Sequence, residues 1–122
     1  MMTEEQRQAL NTKLAWWRWP DAVSIELPPR FGSEPRPKLI EINFPDGTYI
    51  ISFFFPDSLD ACVEHLMGDD WIIKFEPYQF GQQCRIWIPK GDKLRMYSGG
   101  GVTRAVAFCL ALEIHVDSEG KE

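Results

Sequence analysis

The order of hydrophobic and polar residues predicts a helix at the start of the chain. Leu10, Leu14 and Trp17 recur three or four residues apart and would share one helical face. Thr3 is followed three positions later by a glutamine, which is the spacing of a capping box at a helix N-terminus. Because Pro20 does not fit a helix interior, the helix is expected to end just before it.

Two β-rich runs on either side of a Pro-Asp-Gly turn predict an antiparallel hairpin over residues 38–54. In its first strand, one face would carry Ile40, Ile42 and Phe44. The second run ends in three phenylalanines, residues 53–55, which are apolar on both faces of a strand. We therefore predict that this strand is central and that helices cover its sheet on both sides. Ahead of the hairpin, residues 23–27 predict a short strand, and the proline-rich stretch 28–37 predicts an irregular loop.

Two more helices and further strands are predicted in the second half. The middle helix begins at an N-cap near Ser58 and ends at Gly68. Strands follow at residues 71–76, 84–88 and 90–98, the last at a sheet edge. The final helix, residues 102–114, is apolar on nearly every face, which is typical of a central buried helix or of an oligomer interface.

Together these elements predict one α+β domain, a sandwich of a small, mainly antiparallel sheet of four to six strands with three helices packed against it. The chain has 122 residues, 44% hydrophobic and 25% charged, which fits a globular domain and excludes a disordered, collagen-like or coiled-coil chain. A chain of this length can fold without disulfides or a metal. The tail from about residue 116 is expected to be mobile.

Charge and cysteine content narrow the compartment and the class of partner. The net charge of −5 argues against general binding of duplex nucleic acid, which needs an excess of basic residues. The polar, acidic N-terminus does not resemble a secretion signal, and no apolar run is long enough to span a membrane. Cys62, Cys84 and Cys109 cannot all pair within the chain and lack metal-type spacing. We therefore expect a cytoplasmic protein with no membrane association, cofactor or metal.

Three segments share the order of a known family. A Trp-rich helix end lies at residues 13–21, a Ser-containing helix cap at 55–62, and an Ala- and Cys-rich closing helix at 102–113. In this order the chain resembles the phage ABA sandwich domain, in which such helices flank a small antiparallel sheet, although the stretch 28–54 is longer than the usual family pattern. The resemblance implies an origin in phage or prophage genes and brings no established activity or catalytic residues.

The resemblance, together with the lack of a catalytic constellation, favours a non-enzymatic accessory protein that acts by binding. Its partner would be a protein of the bacterial host, and the effect would be to modulate or counter a host defence system. Surplus tryptophan and an apolar last helix favour a homodimer. Candidate partner-binding residues are Trp16, Arg18, Trp19, Asp60 and Glu64.

The reasons for choosing these residues differ, and each has an alternative. The two tryptophans and Arg18 fall away from the core stripe of the first helix, and exposed Trp and Arg anchor interfaces. Tryptophans that fill space between helix and sheet are the alternative. Asp60 and Glu64 are neighbours at i, i+4 and would present an acidic face to a basic partner or hold a divalent cation. As an alternative they keep a helix face hydrated.

A second hypothesis is a binder of a small phosphorylated or nucleotide-type molecule. Residues 85–104 carry five basic residues against one acid, and a glycine run there opens into the last helix. Glycine backbone N–H groups and a helix N-terminus both favour a bound anion, and Trp87 or Tyr97 would stack on a base. A flexible connector with a hydrated basic rim is the alternative. The candidate residues are Arg95, Ser98, Gly99, Gly100, Gly101, Thr103 and Arg104.

Two further hypotheses remain. The protein would act as an acidic mimic of nucleic acid if the acids outside residues 85–104 formed one contiguous face. Cys62 or Cys109 with His65 or His115 would supply a nucleophile and base. No oxyanion loop or third orienting group accompanies them, so no catalytic residue is assigned.

Overall fold

A computed structural model describes residues 2–26 and 39–119, and within them the chain forms six antiparallel strands and three helices. This confirms the predicted α+β class. The predicted loop at 28–37 lies outside the described residues. In chain order the elements are α1 (Glu4–Arg18), β1 (Ser24–Glu26), β2 (Leu39–Asn43), β3 (Tyr49–Phe53), a 3-10 turn (Phe55–Asp57), α2 (Leu59–Ala61, continued by a π-helical turn, Cys62–Leu66), β4 (Ile72–Tyr78), β5 (Gly81–Lys90), β6 (Lys93–Gly101) and α3 (Arg104–Glu119).

Helix α1 begins with the predicted capping box. The Thr3 hydroxyl oxygen accepts from the Gln6 N–H at 3.1 Å, and the Gln6 side-chain oxygen accepts from the Thr3 N–H at 2.9 Å. Leu14 is fully buried, as the apolar stripe predicts. The helix is also tied to α3, because the Lys13 ammonium pairs with Asp117 at 2.6 Å and with Glu113 at 3.3 Å. The hydrogen bond to Asp117 raises the pKa of Lys13.

Strands β1, β2 and β3 form the first sheet, which we call the hairpin sheet, in that order. The prediction that β3 is central and covered on both faces is wrong, because β3 lies at the edge and its Tyr49, Ile51 and Phe53 side chains are exposed. Of the three phenylalanines that motivated it, Phe54 and Phe55 lie beyond the strand. They are fully buried there because the 3-10 turn directs them into the core.

A buried asparagine holds that turn in place. The Asn11 side-chain oxygen accepts from the Phe55 N–H at 3.0 Å, and Asn11 itself is 1% exposed. A buried polar side chain is tolerated where it satisfies a backbone group that would otherwise lack a partner. The middle helix follows, capped as predicted by Ser58, whose hydroxyl accepts from the Ala61 N–H at 3.2 Å.

Strands β4, β5 and β6 form the second sheet, which we call the long sheet, with β5 in the centre. Strands β4 and β5 are joined by a tight turn as predicted, and Gly81 is the first residue of β5, opposite Tyr78. Strand β6 extends further than predicted, because the glycine run continues the strand and pairs with β5 through Gly101. The glycines are therefore strand residues and do not form a flexible connector.

Helix α3 packs on the inner face of the long sheet and supplies the centre of the core. Its buried residues include Ala107, Phe108, Cys109, Ala111 and Leu112. Of the two predicted interpretations of this apolar helix, burial within the domain is the one found. The helix continues to Glu119, so residues 116–119 are helical, and the mobility expected of the tail from about residue 116 stays a prediction.

The glycines of β6 allow α3 to approach the strand closely. A Cβ atom on Gly99 would lie 2.5 Å from the backbone nitrogen of Ala111 and 2.9 Å from the carbonyl oxygen of Ala107. On Gly101 it would lie 2.6 Å from a methyl group of Val106. These contacts are shorter than packed atoms tolerate, so the first function of the glycine run is helix-to-strand packing.

Replacing Gly99 by alanine is expected to destabilise the domain by about 1–3 kcal/mol, because the added methyl group meets backbone atoms that cannot move aside. Urea unfolding measures the effect. Gly100→Ala is the matched control, because its methyl group would meet only the movable Tyr78 hydroxyl, at 2.9 Å. Equal stability losses in the two variants would contradict the close-packing account.

Candidate ligand-binding groove

A groove of about 1180 Å³ opens where the first turn of α3 meets α1, the middle helix region and the end of the long sheet. We call it the ligand groove. It is lined by Met2, Gln6, Arg7, Pro56, Asp57, Leu59, Tyr78, Phe80, Gly100, Gly101, Val102, Thr103, Arg104, Ala105, Val106 and Leu110. Most of these side chains are apolar, with a few charged groups among them, which is the composition of small-molecule sites.

The first turn of α3 presents hydrogen-bond donors to the groove. Thr103 caps the helix, because its hydroxyl accepts from the Val106 N–H at 3.2 Å and its carbonyl accepts from the Ala107 N–H at 3.0 Å. For the N–H groups of Arg104 and Ala105, no acceptor is found among the described residues. Both residues line the groove, so these two donors and the positive end of the helix dipole are placed to attract an anion.

Two arginines and one carboxylate contribute the charged lining. Arg7 is held in place by ion pairs with Asp57 and, at 3.3 Å, with Glu4. The Arg104 guanidinium lies 5.4 Å from the centre of the Phe75 ring, a cation–π contact, and within the described chain no carboxylate pairs with it. Of the two arginines that line the groove, Arg104 is therefore the one with no acid paired to it among the described residues.

Aromatic side chains form one wall of the groove. Phe80, in the turn between β4 and β5, is 79% exposed, and Tyr78 at the end of β4 is 49% exposed. The Tyr78 hydroxyl lies over Gly100, where any larger residue would compete for its space. Exposed aromatic rings next to donors and a cation suit a ligand with both a flat apolar part and an anionic part.

The groove includes part of the ligand site predicted from the sequence. Gly100, Gly101, Thr103 and Arg104 line it, whereas Arg95, Ser98 and Gly99 do not. The predicted stacking partners also lie elsewhere. Trp87 is in the middle of β5, and Tyr97 packs against the His115 ring at 5.0 Å. Tyr78, Phe80 and Arg7 were missed, because their place in the groove depends on contacts between distant segments.

The tryptophan surface predicted for a partner is only partly exposed. Trp19 is 7% exposed, so the expectation that it is exposed is wrong. The backbone leaves the helical conformation at Trp19, and the ring turns inward onto Phe55 at 6.2 Å and His65 at 5.5 Å. Arg18 stacks on Trp19 and donates to the His65 carbonyl at 2.6 Å, whereas Trp16 is 37% exposed.

The described acidic residues lie on several elements, and some of them are paired with cations. Asp60 and Glu64 are exposed on the middle helix. Other acids pair with cations on separate elements, among them Glu76, which lies 3.0 Å from Lys74 and 3.5 Å from Arg85 on the long sheet. This pairing lowers the pKa of Glu76. Within the described residues, no group of three or more His, Cys, Asp or Glu side chains is placed to hold a metal ion.

The three cysteines are buried in the core. Cys62 Sγ donates to the Phe55 carbonyl at 3.2 Å and lies 3.7 Å from Cys109 Sγ. Burial raises the pKa of Cys84 to about 12 and raises that of Cys109 well above its usual value. His65 packs among aromatic rings and does not pair with Cys62. Thiols of this kind behave as small apolar groups.

Comparisons with known proteins identify no family, because no family model, curated protein or solved structure matches the chain. The resemblance to the phage ABA sandwich domain therefore stays a prediction. In residues 2–26 and 39–119, no helix has both the length and the apolar character needed to cross a bilayer.

The buried thiols are expected to be inert in the folded protein. With the pKa of Cys84 at about 12, its thiolate fraction at pH 8 is far below that of an ordinary cysteine, so alkylation should slow by roughly a thousandfold. Iodoacetamide labelling followed by mass spectrometry measures this, with the urea-unfolded chain as control. Rapid modification of one thiol in the folded chain would contradict the prediction that the buried thiols are inert, and would support the hypothesis of a nucleophilic cysteine.

Proposed function

We propose that this protein acts by binding, and that the ligand groove takes a small molecule with an anionic group and a flat apolar group, such as a nucleotide. The observation that carries the proposal is the meeting, in one groove, of the two donors at the start of α3, the Arg104 side chain and the Phe80 ring. Each of these alone is common on protein surfaces. Their convergence in a concave, mainly apolar space favours one bound ligand.

In the proposed complex the anionic group lies at the first turn of α3. The N–H groups of Arg104 and Ala105 donate to its oxygens, and the Arg104 guanidinium leaves the Phe75 ring to pair with it. A phosphate suits this position, because its charge is attracted both by the helix dipole and by the arginine. The flat part of the ligand stacks on Phe80 or Tyr78.

No catalytic step is part of this proposal. The groove is not lined by cysteine or histidine, and the thiols lie in the core. We therefore propose sequestration or sensing of the ligand as the role. This role is compatible with a phage protein that acts against a host system. A phage protein that sequesters a nucleotide signal would act on its host through that ligand.

The sequence also favoured binding to a host protein through Trp16, Arg18, Trp19, Asp60 and Glu64. Burial of Trp19 removes one of the two tryptophan anchors from that surface. An acidic mimic of nucleic acid has less support still, because several acids are paired with cations on different elements. The ligand groove therefore supports small-molecule binding better than either alternative.

Arg104→Ala is expected to weaken nucleotide binding roughly tenfold to a hundredfold, the usual effect of losing a charge-assisted hydrogen bond. Titration calorimetry with AMP, GMP and their diphosphates measures the dissociation constants. Arg95→Ala is the matched control, because it removes the same charge from β6 outside the groove. Phe80→Ala tests the aromatic wall and should also weaken binding without unfolding the domain, since Phe80 is 79% exposed.

Two results would contradict the proposal. Equal weakening by Arg95→Ala and Arg104→Ala would show that binding follows overall charge and does not require the groove. Absence of binding by every nucleotide in the panel, to protein that shows a cooperative unfolding transition, would reject the ligand class.

A further inference from the structure

Within the described residues β3 has an open edge, and this edge differs from the other sheet edges in carrying no charged residue. Natural proteins protect exposed edges with charged residues, proline or very short strands, because an open edge pairs with another strand. In the long sheet, β4 contains Lys74, Glu76 and Pro77, and β6 contains Lys93 and Arg95. In the hairpin sheet, the described part of β1, Ser24–Glu26, carries a glutamate. Strand β3 reads Tyr-Ile-Ile-Ser-Phe and has none of these protections.

The hairpin geometry shows which backbone groups of β3 face the open edge. The Phe44 N–H donates to the Thr48 carbonyl at 3.0 Å, and hydrogen-bonded pairs recur at every second position from there. The N–H and C=O groups of Tyr49, Ile51 and Phe53 therefore point away from β2. Among the described residues no backbone group pairs with them. The Phe53 carbonyl accepts a hydrogen bond from the Ser52 hydroxyl at 3.1 Å.

The same three residues carry the exposed side chains of β3. Tyr49 is 62% exposed, Ile51 55% and Phe53 47%. Across the hairpin, Leu39 lies opposite Phe53 and is 41% exposed, so the apolar surface continues onto β2. Open backbone groups and an apolar surface thus occur at the same residues, which is the combination that strand addition uses.

We propose that β3 pairs with β3 of a second copy of this chain, in antiparallel orientation about Ile51, to form a six-stranded sheet across a two-fold axis. In this register Ile51 lies opposite its counterpart in the second copy, and Tyr49 lies opposite Phe53. The outward N–H and C=O groups of all three residues are then hydrogen-bonded, and the two apolar rows join on one face. A two-fold axis needs a surface that is complementary to itself. Strand β3 meets this requirement, because its outward backbone groups and apolar side chains pair with the same groups of the second copy.

The charges near the edge do not oppose this pairing. Glu41, opposite Ile51 on β2, is the acid nearest the centre of the strand in the pairing register. Three strand spacings would separate the two copies of Glu41, about 14 Å, which exceeds a Debye length of about 8 Å at physiological salt. The edges of β4 and β6 would instead bring several charged side chains together.

Sedimentation velocity of the full chain over a wide concentration range tests the proposal. The wild-type protein should be a dimer, and Ile51→Lys should raise the dimer dissociation constant at least about tenfold, because it places two ammonium groups opposite one another. Met96→Lys is the matched control. It adds the same charge to the outer side of the long sheet at a residue that is 51% exposed, and should leave the dimer intact.

Ile51→Pro separates strand pairing from packing of the apolar faces. Proline keeps an apolar side chain but removes an N–H that faces the open edge and that β2 does not use, so the monomer should fold while the dimer is lost. Circular dichroism checks the fold of each variant. A monomeric wild-type protein, an intact Ile51→Lys dimer, loss of the dimer in Met96→Lys, or an intact Ile51→Pro dimer would each overturn the proposal.

Discussion

The close approach of α3 to β6 is the constraint on which the rest of the structure depends. At Gly99 and Gly101 the helix lies against the strand backbone with no space for a Cβ atom. This contact places the apolar helix in the centre of the domain, where it packs against the long sheet on one side and against α1 and the 3-10 turn on the other. A side chain at either glycine would push the central helix away from its sheet.

The same contact gives the ligand groove its shape. Because only Val102 and Thr103 separate the end of β6 from α3, the first turn of the helix stays at the edge of the long sheet, beside the turn that carries Phe80. Gly100 alternates with the two packing glycines and faces the other side, under the Tyr78 hydroxyl. Gly99 and Gly101 therefore pack against the helix, and Gly100 and Gly101 line the groove.

Local sequence patterns were sufficient to predict the capping box of α1, the hairpin turn and the Ser58 cap, because each depends on neighbouring residues. For the apolar helix α3 they left two interpretations open, burial within the domain and an oligomer interface. They failed where distant segments meet. The end of β3 was predicted wrongly because Phe54 and Phe55 are buried by the turn that follows the strand, not by the strand itself. A hydrogen bond to Asn11 holds that turn in place. Trp19 was expected to be exposed because the helical periodicity was extended to it. The helix ends before Trp19, so its side chain does not follow that periodicity.

For the candidate site, the sequence predicted the chemistry of the α3 end but not its neighbours. Thr103 and Arg104 could be found because a cap and a cation next to a glycine run are visible in the chain. Phe80 and Arg7 could not, since they come from segments more than 20 residues earlier in the chain. Arg95 was included because charge is easily counted along a sequence, although it lies outside the groove in space.

The central claim is that the first turn of α3 binds the anionic group of a ligand. The most direct test is a titration of the isotopically labelled protein with AMP, followed through its backbone amide resonances. The account predicts that the amides of Arg104 and Ala105 shift furthest and saturate together with those near Phe80, while those near Arg95 stay in place. Shifts centred on another surface, or saturable binding that leaves both α3 amides unchanged, would contradict it.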